Sequence, residues 1–347
     1  MQTDEFDFDL PDELIAQKPS TVRGNDKLLV LDSKTKNIVD CSFEDFINYV
    51  PKDALLVFND SRVRKARTFA KKVSTGAKIE FLFLHPMSNG KEWRVLVKRA
   101  KRQRVGETYI FEDGTSATLF DFKSDTINSL GSEKVLVFEN PLTDEWFEKN
   151  GHIPLPPYIK RLDSKDDAHR YQNVYATHIG SVACPTAGLH FNERLLDKLD
   201  KCGIKRVSIT LHVGLGTFLP VHATTVEEHT MHSEEFFISE EVSQAVEKQK
   251  REGKPILAIG TTSVRALETA FEDGHLKTGW QSSKIFIYPP YTFKVVDMLL
   301  TNFHTPKSTL LMLVSALAGK ETIFEAYKHA IQKKYRFFSY GDAMLIL

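Results

Sequence analysis

A mixed α/β main domain interrupted by a small antiparallel β-barrel domain is the fold class that the sequence predicts. Three observations predict it. After residue 150, apolar strand-like runs alternate with amphipathic helical stretches, the pattern of an α/β sheet with helical cover. Between Arg67 and Glu139 the runs are short, rich in β-branched and aromatic residues, and separated by turn formers, which reads as strands without helices. Ahead of that segment stand a helix start and a buried strand of the α/β kind. The expected division is a discontinuous α/β domain, residues 1–61 plus 150–347, and an inserted basic β domain, residues 62–149.

Ser42-x-x-Asp45 opens a helix with a capping-box pattern, and Ala54–Phe58 is a buried strand. Lys78–Leu84, Trp93–Val97, Thr115–Phe122 and Lys134–Phe138 are the strands of the insert, with turns at Ser88-Asn89-Gly90 and Asp113-Gly114. The proline-rich stretch Gly151–Tyr158 is a stiff return linker. A helix over Asn192–Lys201 carries Leu195, Leu196 and Leu199 on one face and stops at Gly203. Lys205–His212 is a strand, Ser239–Glu252 a helix ending at Gly253, and Pro255–Ile259 a strand feeding a helix from Thr262. Ile285–Tyr288 reads as a strand. Pro306 marks the start of a helix reaching Ala318-Gly319, and a last helix covers Ile323–Lys333.

With 347 residues, 41% hydrophobic and 27% charged, the chain can bury a sizeable core and has the composition of a soluble protein. The segment Met1–Glu5 is acidic and lacks a signal peptide's basic flank and apolar stretch, so a cytoplasmic location is expected. The most apolar run, Leu310–Ala318, is too short to span a bilayer. Cys41, Cys184 and Cys202 form no C-x-x-C pair, which argues against a disulfide framework or a thiolate zinc site. The net charge of zero hides an asymmetry: from Arg62 to Arg104 there are 14 Lys and Arg against only Glu80 and Glu92. The densest piece is Lys98-Arg99-Ala100-Lys101-Arg102-Gln103-Arg104. A solvated basic face and a polyanion-binding face both fit; the breadth of the bias favours a nucleic acid, without distinguishing DNA from RNA.

Four loops of small and polar residues end strands or start helices: Pro185–His190, His212–Thr217, Gly260–Ser263 and Thr301–His304. Freed amides and hydroxyls at such places hold polar ligands. Ile256–Arg265 is strand, tight turn, helix; Arg265, one turn in, suits a carboxylate or phosphate. Val213-Gly214-Leu215-Gly216-Thr217 lacks the third glycine and following acid of a dinucleotide fold. His229, His232 and Glu234 read as acid/base groups, as ordinary surface histidines or as a metal pair; no third ligand is evident for a metal. Tyr335–Asp342 alternates aromatic with polar groups, as a core strand or as faces that stack on a base.

Together these strings resemble one family over essentially the whole chain, the S-adenosylmethionine:tRNA ribosyltransferase-isomerases of queuosine biosynthesis. The most specific matches are Pro185–Phe191, Thr210–Gly214, Met231–Glu234, Gly260–Arg265, Asn302–His304 and Tyr335–Ala343. The chain departs from the family pattern at Lys65-Ala66-Arg67, usually Pro-Ala-Arg, and at Cys184, usually Ala or Ser, which argues against a catalytic thiol there. The resemblance implies a tRNA substrate carrying 7-aminomethyl-7-deazaguanine at the wobble position. It also implies S-adenosylmethionine as cosubstrate, epoxyqueuosine-tRNA, adenine and methionine as products, and no metal. His232, Glu234 and His190 become the catalytic candidates. Thr186, Gly188, His212, Gly214, Gly260, Thr261, Thr262 and Arg265 become candidates for holding S-adenosylmethionine. Arg62, Lys98, Arg99, Lys101, Arg102, Arg104, Arg336 and Tyr340 become candidates for tRNA, with Phe338 an alternative base stacker. A monomer is expected. A non-catalytic RNA-binding protein and an RNA methyltransferase are the competing readings, separable by reaction products.

Overall fold

The structure is a computed structural model, and it describes residues 1–87, 89–122, 133–214, 221 and 223–347. Ser88 and Leu215-Gly216-Thr217, assigned above to a turn and a loop, lie outside the described residues. Among those described, nine strands form one sheet in the order Gly279–Ser283, Glu234–Ile238, Lys205–Leu211, Leu55–Asn59, Ile256–Ile259, Met298–Asn302, Ala343–Ile346, Lys27–Leu31, Ile38–Ser42. The third to sixth of these run parallel, so their carboxyl ends meet along one edge.

The period of two in a strand sorts the side chains into two cores. Leu55, Val57, Ile256, Ala258, Leu299 and Met344 join one face, packed beneath the helices Glu240–Arg251, Thr261–Ala270, Thr309–Ala318 and Lys320–Gln332. Leu56, Phe58, Leu257, Ile259, Leu300 and Leu345 join the other, covered by Phe43, Phe46 and the helix Glu193–Lys201. Asn192, Ser239 and Ser308 cap the first turns of their helices through side-chain oxygens.

The basic segment folds into a six-stranded closed barrel among the described residues. Its strands are Arg67–Lys72, Lys78–Pro86, Glu92–Val97, Thr108–Phe111, Ser116–Asp121 and Glu133–Phe138. Phe81, Phe83, Trp93, Tyr109 and Phe111 fill the interior. All pairings are antiparallel, so successive loops alternate between the two ends. The chain enters at Arg67 and leaves at Phe138 on one end; the loop 98–107 lies at the other. At the entry, Gly151 passes so close that a Cβ would sit 1.9 Å from the Lys65 carbonyl oxygen, and Arg67 pairs with His152.

Two expected elements differ. Ile285–Tyr288 is not a strand; Ile287 is buried and its neighbours pack on the core without pairing, while the sheet's edge strand is Gly279–Ser283. Pro306 sits in a turn, and the helix starts at Thr309. Ser308 sets that start: its hydroxyl donates to Thr305 O (2.8 Å) and accepts from Leu311 N (3.1 Å).

Asn59 ties the carboxyl edge together and is wholly buried. Its Nδ2 donates to Leu211 O (3.0 Å) and to Thr262 Oγ1 (3.1 Å). Its Oδ1 accepts from Ser61 N (3.1 Å) and Leu211 N (3.0 Å). Removing these partners strands buried polar groups on three elements, so Asn59→Ala is expected to lower the unfolding free energy by about 3 kcal/mol in a urea titration. A loss well under about 1 kcal/mol would show that the edge holds without it.

Candidate functional site

A cleft of about 630 Å³, open to solvent, lies at the carboxyl edge, where open α/β sheets take their ligands. Its walls come from segments far apart in sequence: Cys184–Ala187, Gly260–Thr262, Thr301–Thr305 and Phe338-Ser339, with Tyr158, Val213 and Leu310. Gly260 stands at φ 88°, a conformation that costs glycine nothing. It turns the strand Ile256–Ile259 straight into the helix Thr261–Ala270. No side chain caps that helix, so the positive end of its dipole meets the cleft through Thr261 and Thr262.

On the neighbouring strand end, Asn302 lines the cleft and forms a buried chain with His190 and Asp26 behind it. Asn302 Nδ2 can only donate, and it lies 3.2 Å from His190 Nε2 and 3.2 Å from Phe338 O. His190 Nε2 is therefore the acceptor, and Nδ1–H donates to Asp26 Oδ2 at 2.7 Å. Burial alone would raise the Asp26 carboxyl, but His190 and Arg336 outweigh it and hold the group below its ordinary value. With its nitrogen committed twice, Asn302 leaves Oδ1 without a partner. Among the described residues it is the one such buried side-chain atom on the cleft lining. His304, also on the wall, pairs Nε2 with Thr301 Oγ1 (2.9 Å). Burial pushes its pKa down to about 3, so the ring is neutral. Burial pushes the Cys184 thiol up, away from thiolate.

Behind Val213 lies a buried ion pair, Arg265 Nη1 with Glu234 Oε2. Glu234 Oε1 also accepts from Gly214 N (3.1 Å). On the other side of Val213, His212 Nδ1 meets Ser61 Oγ (2.9 Å), which meets Ser181 Oγ (2.6 Å), which accepts from Val213 N (2.9 Å). Burial, then the charges of Arg64, His85 and His178, push the His212 pKa down to about 4.

The sequence candidates separate accordingly. Thr186, Gly260, Thr261 and Thr262 line the cleft. Gly188 does not: a Cβ there would lie 2.0 Å from Tyr175 Oη, so this glycine permits close packing. His190, His212, Gly214, Glu234 and Arg265 form the layer behind the wall. His232 is half-buried, makes no hydrogen bond with the described residues and stands two positions before Glu234. His229 packs its ring on Phe286, and Glu234 pairs with Arg265; among the described residues no three His, Cys, Asp or Glu are grouped as metal ligands. Asn302 and His304 were visible as a string, but their roles required the hydrogen bonds.

The RNA candidates divide as well. Arg99, Lys101, Arg102 and Arg104 are exposed on the loop at the barrel's far end, and Arg62 is exposed on the strand Ser61–Val63. Lys98 pairs with Glu80 (3.3 Å). The expectation that Tyr340 meets a base is corrected: it is 3% exposed and its hydroxyl donates to Asp167 (2.7 Å). Arg336 is part-exposed, and its guanidinium bridges Asp26 (2.8 Å) and Asp342 (2.9 Å).

The depressed imidazoles of His212 and His304 predict a pH dependence. The unfolded rings take up protons as pH falls through 6.5, while folded His212 and His304 resist until about 4 and about 3. Stability is therefore intact above 6.5 and falls as pH drops, down to about 4 for the His212 contribution and about 3 for that of His304. Urea titrations at stepped pH should show this decline, and His304→Gln should flatten it; an unchanged slope would overturn the assignment.

Comparison with known proteins agrees with the geometry. A family model described as queuosine biosynthesis protein matches residues 3–346. The S-adenosylmethionine:tRNA ribosyltransferase-isomerase of Treponema denticola is 56% identical, with 100% of both chains covered. That of Halothermothrix orenii is 49% identical over 100% of both. Among solved structures, S-adenosylmethionine tRNA ribosyltransferase from Thermotoga maritima overlays with a TM-score of 0.55 at 35% identity, covering 99% of this chain and 100% of that one. The chain belongs to the S-adenosylmethionine:tRNA ribosyltransferase-isomerase family of queuosine biosynthesis.

Proposed function

We propose that this enzyme transfers and isomerises the ribosyl group of S-adenosylmethionine onto 7-aminomethyl-7-deazaguanine at the wobble position of tRNA. The products on this reading are epoxyqueuosine-tRNA, adenine and methionine. The observation that carries it is convergence: Pro185–Ala187, Gly260–Thr262, Asn302–His304 and Phe338-Ser339, all within strings shared with the family, line one cleft.

The positive sulfur acidifies the neighbouring ribose C–H. A base removes that proton, adenine leaves and takes up a proton, and the sugar opens to an unsaturated sulfonium. The aminomethyl nitrogen of the tRNA adds to it, and a sugar oxygen then displaces methionine from carbon to close the epoxide. The sulfonium supplies the electrophilic bias, so the sequence needs a base, a proton donor for adenine and a shielded site, but no metal.

The methionine carboxylate meets the amides of Thr261 and Thr262 at the uncapped helix terminus, with Thr186 across the cleft. Asn302 Oδ1 accepts an N–H of the cosubstrate, and Asp26 and His190 hold that amide in one orientation. Of the three candidates for proton transfer, His232 has ring nitrogens uncommitted to described residues. Glu234 and Arg265 position Gly214, and through it the wall at Val213. The loop bearing Arg99, Lys101, Arg102 and Arg104 contacts tRNA phosphates. Residues 62–149 act as the inserted RNA-binding domain on an α/β domain of residues 1–61 and 150–347. The enzyme works as a cytoplasmic monomer; among the described residues no helix is long and apolar enough to cross a membrane.

Product analysis tests the reading. Purified protein with S-adenosylmethionine and modified tRNA should release free adenine and methionine. S-adenosylhomocysteine instead would mark a methyltransferase, and binding without turnover an RNA-binding protein. Asn302→Ala should raise KM for S-adenosylmethionine about tenfold, the worth of one hydrogen bond to a charged or strongly polar group; an unchanged KM would remove Asn302 from the site. Neutralising Lys101, Arg102 and Arg104 together should weaken tRNA binding and reduce the salt slope by about two to three. An unchanged slope would place the RNA elsewhere.

A further inference from the structure

Trp280 is the exposed aromatic that the cleft does not explain. It is 61% exposed, and among the described residues the next most exposed aromatic is Phe120 at 42%. It lies on the sheet's edge strand, opposite Phe237, which lies opposite Thr210. His212 follows two residues after Thr210 and so shares that face. The ring of His212 stacks against the indole at 5.6 Å and 30°, and Phe237 supports it at 5.5 Å. His212 is itself fixed by Ser61. It also runs tight over Gly180, where a Cβ would lie 2.4 Å from the imidazole. One face of the indole is thus held by an ordered stack, and much of the rest is left to solvent.

We infer that Trp280 is a stacking platform for a nucleobase of the tRNA loop next to the one that enters the cleft. Two features favour RNA over a protein partner. The platform stacks on His212, the residue next to Val213 of the cleft wall, so a base there would lie beside the strand end that borders the cleft. The surroundings also offer a cation: Arg62 is exposed and, among the described residues, has no ion pair, and it adjoins Ser61, which holds the His212 ring. Asp60 is engaged by Thr210 (2.7 Å) and His178 (3.2 Å). Single-stranded loops present splayed bases that stack on such aromatic faces.

This inference rests on the proposed tRNA substrate, and the test keeps the two apart. Trp93 is buried and Trp146 half-buried, so the indole most open to acrylamide is Trp280. Adding an anticodon stem-loop to the wild-type protein should remove most of the quenchable fluorescence. Loops made abasic on either side of the wobble position should leave it quenchable in one case. Trp280→Ala should weaken loop binding about tenfold with an unchanged salt slope, and Trp280→Phe should recover most of it. If wild type binds the loop but the indole stays quenchable, or Trp280→Ala binds equally well, the platform is refuted alone. If wild type binds no loop, the tRNA reading falls and takes the platform with it. Protection arising instead from self-association that Trp280→Ala abolishes would assign the face to a second copy and also refute the inference.

Discussion

The carboxyl edge of the sheet depends on a single buried amide. Asn59 joins the strand it ends to Leu211 on one neighbour and to Thr262 on the helix that follows the other. Backbone pairing alone fixes strands along their length but leaves their ends to fray. Because both donor hydrogens and the carbonyl of Asn59 are used, the ends at Leu211 and Gly260 are held at a fixed spacing. That spacing sets where the helix Thr261–Ala270 begins, and hence where its uncapped terminus meets the cleft. The same amide fixes Ser61, and through Ser61 the ring of His212. One residue therefore connects the cleft wall with the Trp280 stack.

The barrel's charge requires a finer account than its composition suggests. Of the 14 cations between Arg62 and Arg104, Arg64, Lys65, Arg67, Lys72, Lys78, Arg94 and Lys98 have carboxylate partners. Most of those partners, such as Glu107, Glu133, Asp144 and Glu148, come from beyond the window. The barrel strands and the helix Asp144–Asn150 bring them alongside, which neutralises much of the barrel wall and leaves Arg99, Lys101, Arg102 and Arg104 exposed together on the loop at its far end. An RNA held at that loop and at the sheet's edge would be gripped at two separated points, which fixes orientation better than one broad basic face.

How much of this was legible follows from what each signal encodes. The caps at Asn192, Ser239 and Ser42 and the helices behind them are local, and they were readable. So was the strand–turn–helix at Gly260, because a positive φ and a helix start both leave marks in the residue types. Gly279–Ser283 was missed: an edge strand carrying Trp, Gln and Ser has no apolar period to read. Ile285–Tyr288 misled for the opposite reason, since burial against a core produces the same apolar run as pairing in a sheet. In the site, Thr186 and the Gly260 turn were accessible from pattern. Asn302 was not assigned, because its unpartnered oxygen exists only once His190 and Phe338 O have claimed its nitrogen. Tyr340 and Phe338 looked alike in sequence, yet one is turned toward Asp167 and the other lines the cleft.

The neutral histidines bear on what the cleft can hold. A cationic sulfonium is repelled by any added positive charge in a low-dielectric site. His304, the imidazole on the wall, stays neutral because burial disfavours its charged form. His190 gives its proton-bearing nitrogen to Asp26, and His190 and Arg336 hold that carboxyl below its ordinary value. The polarity of that chain runs outward: the anion draws the His190 proton toward itself, making Nε2 a better acceptor for the Asn302 amide. Its carbonyl is then turned away from both claimed contacts, a fixed negative dipole without a mobile charge. The terminus of the helix Thr261–Ala270, at the end of the neighbouring strand, supplies the opposite sign. A zwitterionic donor with a carboxylate at one end and positive groups at the other would thus find complementary fields already in place.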